Sequence, residues 1–260
     1  MPQRVMKLSG GAIMIGSLYW RSEDQIRESW HRDHLDFTKA VRVLIPIRYG
    51  RLSKNNAYTM VFSKICYRKG YRLGIGWAVP FKHNIYTVEQ IFAEAIALAR
   101  AECNDSTTND LCRSWFTVAV LLNPNCKFRL HVKRYWSQLM KPHLLDHNLL
   151  KFKLKSETPC IDSAGFLQIR WPRLVENPQK YLNWDFALST PTVPTLSKNR
   201  YPSAKQIACA WIEADDLSYF IRNMESGILT FQDKLIWHYL KSKKPELEDK
   251  FGKSSSNLSN

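Results

Sequence analysis

Between Asp36 and Glu89 the chain carries no carboxylate, yet Lys39, Arg42, Arg48, Arg51, Lys54, Lys64, Arg68, Lys69, Arg72 and Lys82 fall in that span. Tyr49, Tyr58, Tyr67, Tyr71, Trp77 and Tyr86 are interleaved with them. Cations neutralise phosphates and flat rings stack on bases, so the pattern fits a nucleic-acid surface. Arg48, Tyr49, Arg51, Lys54, Arg68, Lys69 and Arg72 are its candidate contacts. Strands also produce this pattern without a ligand, with the rings turned inward and the cations solvated. A second basic stretch, Lys127 to Lys155, sets Arg129, Lys133, Arg134, Lys141, Lys151 and Lys153 against Asp146 alone. Lys133 and Arg134 join the candidates from there. The whole chain has 38 Lys and Arg against 23 Asp and Glu, a net charge of +15. Such a balance draws polyanions, so DNA or RNA is the expected partner.

Other constellations offer weaker chemistry. His31, His34 and Asp36 form H-x-x-H-x-D, which places two imidazoles on one helix face. His143, Asp146 and His147 in PHLLDHN repeat the idea without the H-E-x-x-H spacing of a metalloprotease. Asp162, Glu176 and Asp185, with Gln168 and Arg170, could suggest a carboxylate cluster for Mg²⁺, but no Glu-x-Lys accompanies them. The phosphate-binding motifs G-x-x-x-x-G-K-[ST] and G-x-G-x-x-G and the serine-hydrolase motif G-x-S-x-G are missing, so nucleotide hydrolysis and serine-hydrolase chemistry are poor readings. The six cysteines are scattered, without the close pairs of a zinc site, and read as reduced thiols. No metal and no cofactor is expected.

These residues need a scaffold, and the periodicities supply one. GGAIMI reads as a first strand broken at Gly16-Ser17. Ser22, Glu23 and Asp24 then read as the start of a helix over about 22–40, with the acids in its first turn. VRVLIP, AYTMVFS (57–63) and YRLGIGWAVP (71–80) read as strands. TVEQIFAEAIALARAE (87–102) is the clearest helix, with Thr87 and Gln90 as a capping box. SWFTVAVLLNP (114–124) predicts a central, doubly covered strand, and a basic helix follows at about 127–141. KFKLK, GFLQIRW and WDFALS predict further strands. Helices begin at Pro202-Ser203 and within ILTFQDKLIWHYLKSKK, and a polar tail runs from Lys244.

The order of segments from 12 to 102 resembles the gamma-glutamylcyclotransferase family, whose members open with a Tyr-Gly-Ser-Leu turn on a small barrel. Gly16-Ser17-Leu18 stands at that turn, with Ile15 in place of the tyrosine. RYGRLS (48–53) and YTMVFS (58–63) stand where the family has a basic-aromatic strand pair. GIGWAV (74–79) resembles its glycine-containing strand, and TVEQIFAEAIALARAE the helix leading to its catalytic glutamate. The resemblance implies that amides around Gly16, Ser17 and Leu18 hold a substrate carboxylate and that Glu102 shuttles the proton. The reaction would be attack of an α-amine on its own γ-glutamyl carbonyl, with no cofactor.

The sequence thus predicts an α/β or α+β fold: a mixed sheet or small barrel, flanking helices and a helical C-terminal part. One domain is expected over 1–243, with any internal boundary near 104–110 or 141, and a disordered tail over 244–260. Mean hydropathy is −0.35 and no apolar run is long enough for a membrane span, so a cytoplasmic protein is expected. The charge favours a nucleic-acid-associating protein, such as a subunit of a bacterial defence or mobile-element complex with a protein partner. The alternative is a gamma-glutamylcyclotransferase-like enzyme using Glu102.

Overall fold

The computed structural model describes residues 6–21, 24–145 and 159–247. Its centre is a curled six-stranded mixed sheet. The strands are β1 (Gly10–Met14), β2 (Val41–Ile45), β5 (Gly74–Pro80), β6 (Ala119–Leu122), β7 (Arg173–Leu174) and β8 (Phe186–Ser189), in the order β6-β8-β1-β5-β2-β7. A two-stranded ribbon, β3 (Ile47–Leu52) with β4 (Tyr58–Phe62), lies beside it. Every pairing is antiparallel except β1 with β8. Strands from both sides of residues 104–110 and of residue 141 share this one sheet.

Side chains alternate across the sheet as the strand period requires. Ala12, Met14, Val79, Val120 and Leu188 face one buried cluster, and Ile13, Ala78, Leu121 and Ala187 the other. The first cluster is covered by α2 (Gln25–His34), α3 (Val88–Cys103) and α4 (Arg129–Leu145). The second is covered by the ribbon and by α5 (Ala204–Glu213), α6 (Ser218–Glu225) and α7 (Asp233–Lys243). Thr87 and Gln90 form the expected capping box of α3, and Ser203 with Gln206 does the same for α5. Among the described residues no helix is long and apolar enough to cross a membrane.

Several boundaries differ from the sequence reading. A separate short helix, α1 (Ser17–Trp20), precedes the helix expected over 22–40, which forms as α2 followed by a 3₁₀ turn at Phe37–Lys39. Asp36 ends its continuity by accepting the Thr38 N–H, which competes with helical bonding. The expected N-cap Ser22 and first-turn Glu23 lie outside the described residues, and Asp24, expected in the first turn, is the N-cap of α2. The strand of 114–124 is an edge strand, not a central one. It is nonetheless wholly buried, because a bridge from Val120 to Phe166 and helix α4 cover it. GFLQIRW forms only isolated bridges at Phe166 and Leu167. KFKLK lies outside the described residues. Leu247 is buried in the core, so the first residues of the expected tail belong to the fold. Helix α6 was not anticipated, and it supplies part of the site.

Candidate functional site

Strands β1 and β8 run parallel, so their carboxyl ends open on the same rim of the sheet. Ligand clefts in α/β folds characteristically form at such ends. Ile15, Ser17 and Leu18 leave β1 there, and Thr190 and Thr192 follow β8. Glu102, in the last turn of α3, meets them. Its Oε2 accepts a hydrogen bond from the Thr190 hydroxyl at 3.1 Å. The helix stops one residue later, where Asn104 adopts a left-handed conformation and its N–H caps the Arg100 carbonyl. The Gly-Ser-Leu turn and Glu102, 84 positions apart in the chain, therefore line one pocket.

The turn itself is fixed by sterics and by two tethers. Gly16 has φ 87°, and a methyl group on its α-carbon would overlap the Tyr219 hydroxyl. Only glycine satisfies both constraints at that corner. The Leu18 carbonyl bonds His31 Nε2 at 2.9 Å, and Tyr19 N–H returns to the Gly16 carbonyl at 3.0 Å. Burial holds the His31 pKa below its ordinary value. A neutral ring donates through Nε2, which ties α2 to the turn.

Two arginines face Glu102 without closing on it. Arg51 follows a bulge at Gly50, where the ribbon register slips between Tyr49 and Arg51. Tyr49 pairs with Met60 and Arg51 with Thr59, so the extra residue takes Arg51 off the face occupied by Tyr49. The Arg51 guanidinium stacks on Trp115, 4.4 Å from the ring centroid. Arg27 is buried and gives two hydrogen bonds to the Ala101 carbonyl, at 3.1 and 3.2 Å. Its Nη1 makes no hydrogen bond and lies 3.7 Å from Asp24. Neither arginine lies within ion-pair distance of Glu102. Together with Trp20, Tyr219 and Arg222 they wall a cleft of about 410 Å³ that adjoins the Glu102 pocket.

This setting shifts the titration of Glu102. Burial pushes its carboxyl above the usual range, while Arg27, the Thr190 hydrogen bond and Arg51 pull it back. The Tyr219 hydroxyl, pushed up to about 12 by burial, stays protonated beside it and accepts the Met60 N–H at 3.2 Å. A carboxyl poised this way, open to a cleft rich in cations, can both take and return a proton next to a bound anion.

The other sequence candidates are placed elsewhere. Arg48 is buried, lies 4.2 Å from the Tyr201 ring centroid and donates to the Pro202 carbonyl. Tyr49 is fully buried in the core. Both are therefore interior groups, because the ribbon packs inward against α5 and α7 and not outward as a groove. Lys54, Arg68, Lys69, Arg72 and Arg134 are exposed, and Lys133 lies over Phe166. His34 bonds Glu94, and His143 packs on Phe92. Asp146 and His147 lie outside the described residues. Asp162 caps its own loop and accepts from Gln168, Glu176 pairs with Arg42, and Asp185 accepts from Ser9. These three carboxylates do not converge. Among the described residues no group of three metal-ligating side chains is placed to hold an ion. Arg27, Tyr219 and Thr190 were missed, since nothing in their local sequence marks them. No family model, curated protein or solved structure matches the chain.

Proposed function

We propose that the chain is an enzyme that cyclises a γ-glutamyl substrate in the manner of the gamma-glutamylcyclotransferases. The observation carrying this reading is that Ser17, Leu18, Arg51 and Glu102 line one pocket. Arg51, the Arg27 guanidinium in the wall of the adjoining cleft and the amides of the Gly16–Leu18 turn supply positive partners for the substrate α-carboxylate. Glu102 takes a proton from the α-ammonium, and the freed amine attacks the γ-carbonyl carbon. The ring C–N bond forms, Glu102 returns that proton to the departing amine as the original amide C–N bond breaks, and it then carries the second proton from the ring nitrogen to the same amine, which leaves as an ammonium. Redox chemistry is not needed, and the atoms balance as 5-oxoproline plus a free amine.

The test is release of 5-oxoproline from a panel of γ-glutamyl amines and peptides. Turnover is expected with the wild-type chain, and Arg27→Met should raise KM more than it lowers kcat. No turnover across the panel would remove the reading. The charge of the chain bears on a different part of the surface.

A further inference from the structure

On the surface around β7, away from Glu102, a groove of about 610 Å³ shares no lining residue with the first cleft. Its lining includes Tyr67, Arg170, Trp171, Arg173 and Tyr181 together with Asn123 and Asn125, and no carboxylate. The Arg170 guanidinium lies 4.7 Å from the Tyr67 ring centroid, while the Tyr67 hydroxyl accepts the Arg170 N–H at 2.9 Å. That double contact fixes both ring and cation. Arg173, in β7, forms a bridge with Tyr181, whose side chain is 61% exposed. Trp171 is anchored by donating to the Leu182 carbonyl at 2.7 Å. Neither Arg170 nor Arg173 pairs with a carboxylate among the described residues. Lys69 and Arg72 stand exposed on the loop that follows Tyr67.

We propose that this groove binds single-stranded nucleic acid, with Arg170 and Arg173 on phosphates and Tyr67 and Tyr181 against bases. Fixed cations beside fixed rings, with no carboxylate among the described lining residues, recognise a backbone and an unstacked base together. A duplex hides its base faces in the stack, so the tyrosines favour the single strand. The site explains where the excess positive charge acts once Arg48 and Tyr49 are found inside the fold.

The experiment is fluorescence anisotropy of the full chain with a labelled oligothymidine, an oligouridine and a matching duplex, over a series of salt concentrations. Single strands should bind more tightly than duplex, and log affinity should fall linearly with log salt. Removing two phosphate contacts in the Arg170→Ala, Arg173→Ala double variant should shrink that slope by about 1.4 and lower affinity more than tenfold. Tyr181→Ala should weaken binding about fivefold or more with either base. Its exposed side chain makes this the variant that leaves folding intact. Glu102→Gln should bind as wild type, which separates this site from the enzymatic one. Wild-type affinity and slope in both groove variants, or duplex binding as tight as single strand, would overturn the proposal. So would displacement of the oligonucleotide by an equal nucleotide concentration of thymidine monophosphate, which would assign the groove to free nucleotides.

Discussion

Glu102 and Arg51 line the same pocket without forming an ion pair: the guanidinium is held over Trp115 while the carboxylate accepts its hydrogen bond from Thr190. A closed ion pair would keep Glu102 ionised and idle. A separated one leaves room for a substrate anion and keeps the carboxyl able to gain and lose a proton. Arg51 is nonetheless close enough to favour the ionised form of Glu102.

Arg51→Met therefore has a predictable sign. Without the positive charge the Glu102 pKa rises, and a reaction that begins with an ionised carboxylate needs a higher pH. The acid limb of the pH profile of kcat/KM should move upward relative to wild type. An unmoved limb would mean that Arg51 does not act on Glu102.

Gly16→Ala tests the corner. The positive φ and the overlap with Tyr219 act together, so the variant should lose about 2 kcal/mol or more of stability. Denaturant midpoints measure it, and a wild-type midpoint would show that the turn is not constrained as described.

Arg48→Ala tests the interior placement of that cation. Loss of its stacking on Tyr201 and of its bond to the Pro202 carbonyl should cost about 2 kcal/mol. The salt slope of oligonucleotide binding should stay unchanged. A reduced slope with unaltered stability would return Arg48 to the surface.

The architecture was legible where local signals and periodicity agreed. Thr87 and Gln90 announced α3, and the apolar run Ala12–Ile15 stopped by Gly16-Ser17 announced β1, because caps and the breaks that end apolar runs are properties of short segments. The pocket was half legible: Gly16–Leu18 and Glu102 could be singled out, but their meeting depends on β1 and β8 lying parallel. Arg27 and Tyr219 carry no local mark at all. Arg48 and Tyr49 misled because an inward-packed ribbon and a solvated one have the same residue pattern, and only the seating against α5 and α7 distinguishes them.

Stability should fall as pH rises toward neutrality. Asp233 is 1% exposed, bonds the Thr230 N–H at 2.6 Å and hydroxyl at 2.8 Å, and burial raises its carboxyl from 3.8 to about 7. The fold thus holds this proton more tightly than the unfolded chain does. The penalty is absent below the unfolded pKa, grows between the two values and is complete above about pH 7. A difference of about three pH units corresponds to about 4 kcal/mol, roughly 40% of it between pH 5.5 and 7. His34, raised by its bond to Glu94, stabilises below its ordinary 6.5 and loses that contribution as pH rises through its folded value. Both act in one direction. In denaturation titrations Asp233→Asn should flatten the slope to the part owed to the other shifted groups, His34 and Glu102 acting in the same sense and His31 in the opposite one, and an unchanged slope would contradict the assignment.

Glu102 is the proposed proton carrier, and the decisive measurement is 5-oxoproline release by wild type and Glu102→Gln. The substitution keeps the shape of the side chain and removes the carboxyl from a group that burial already disfavours as an anion, so the melting temperature should hold or rise. Turnover should fall by a factor of about 10² to 10⁴ while oligonucleotide binding persists. Equal turnover by the two proteins would contradict the account.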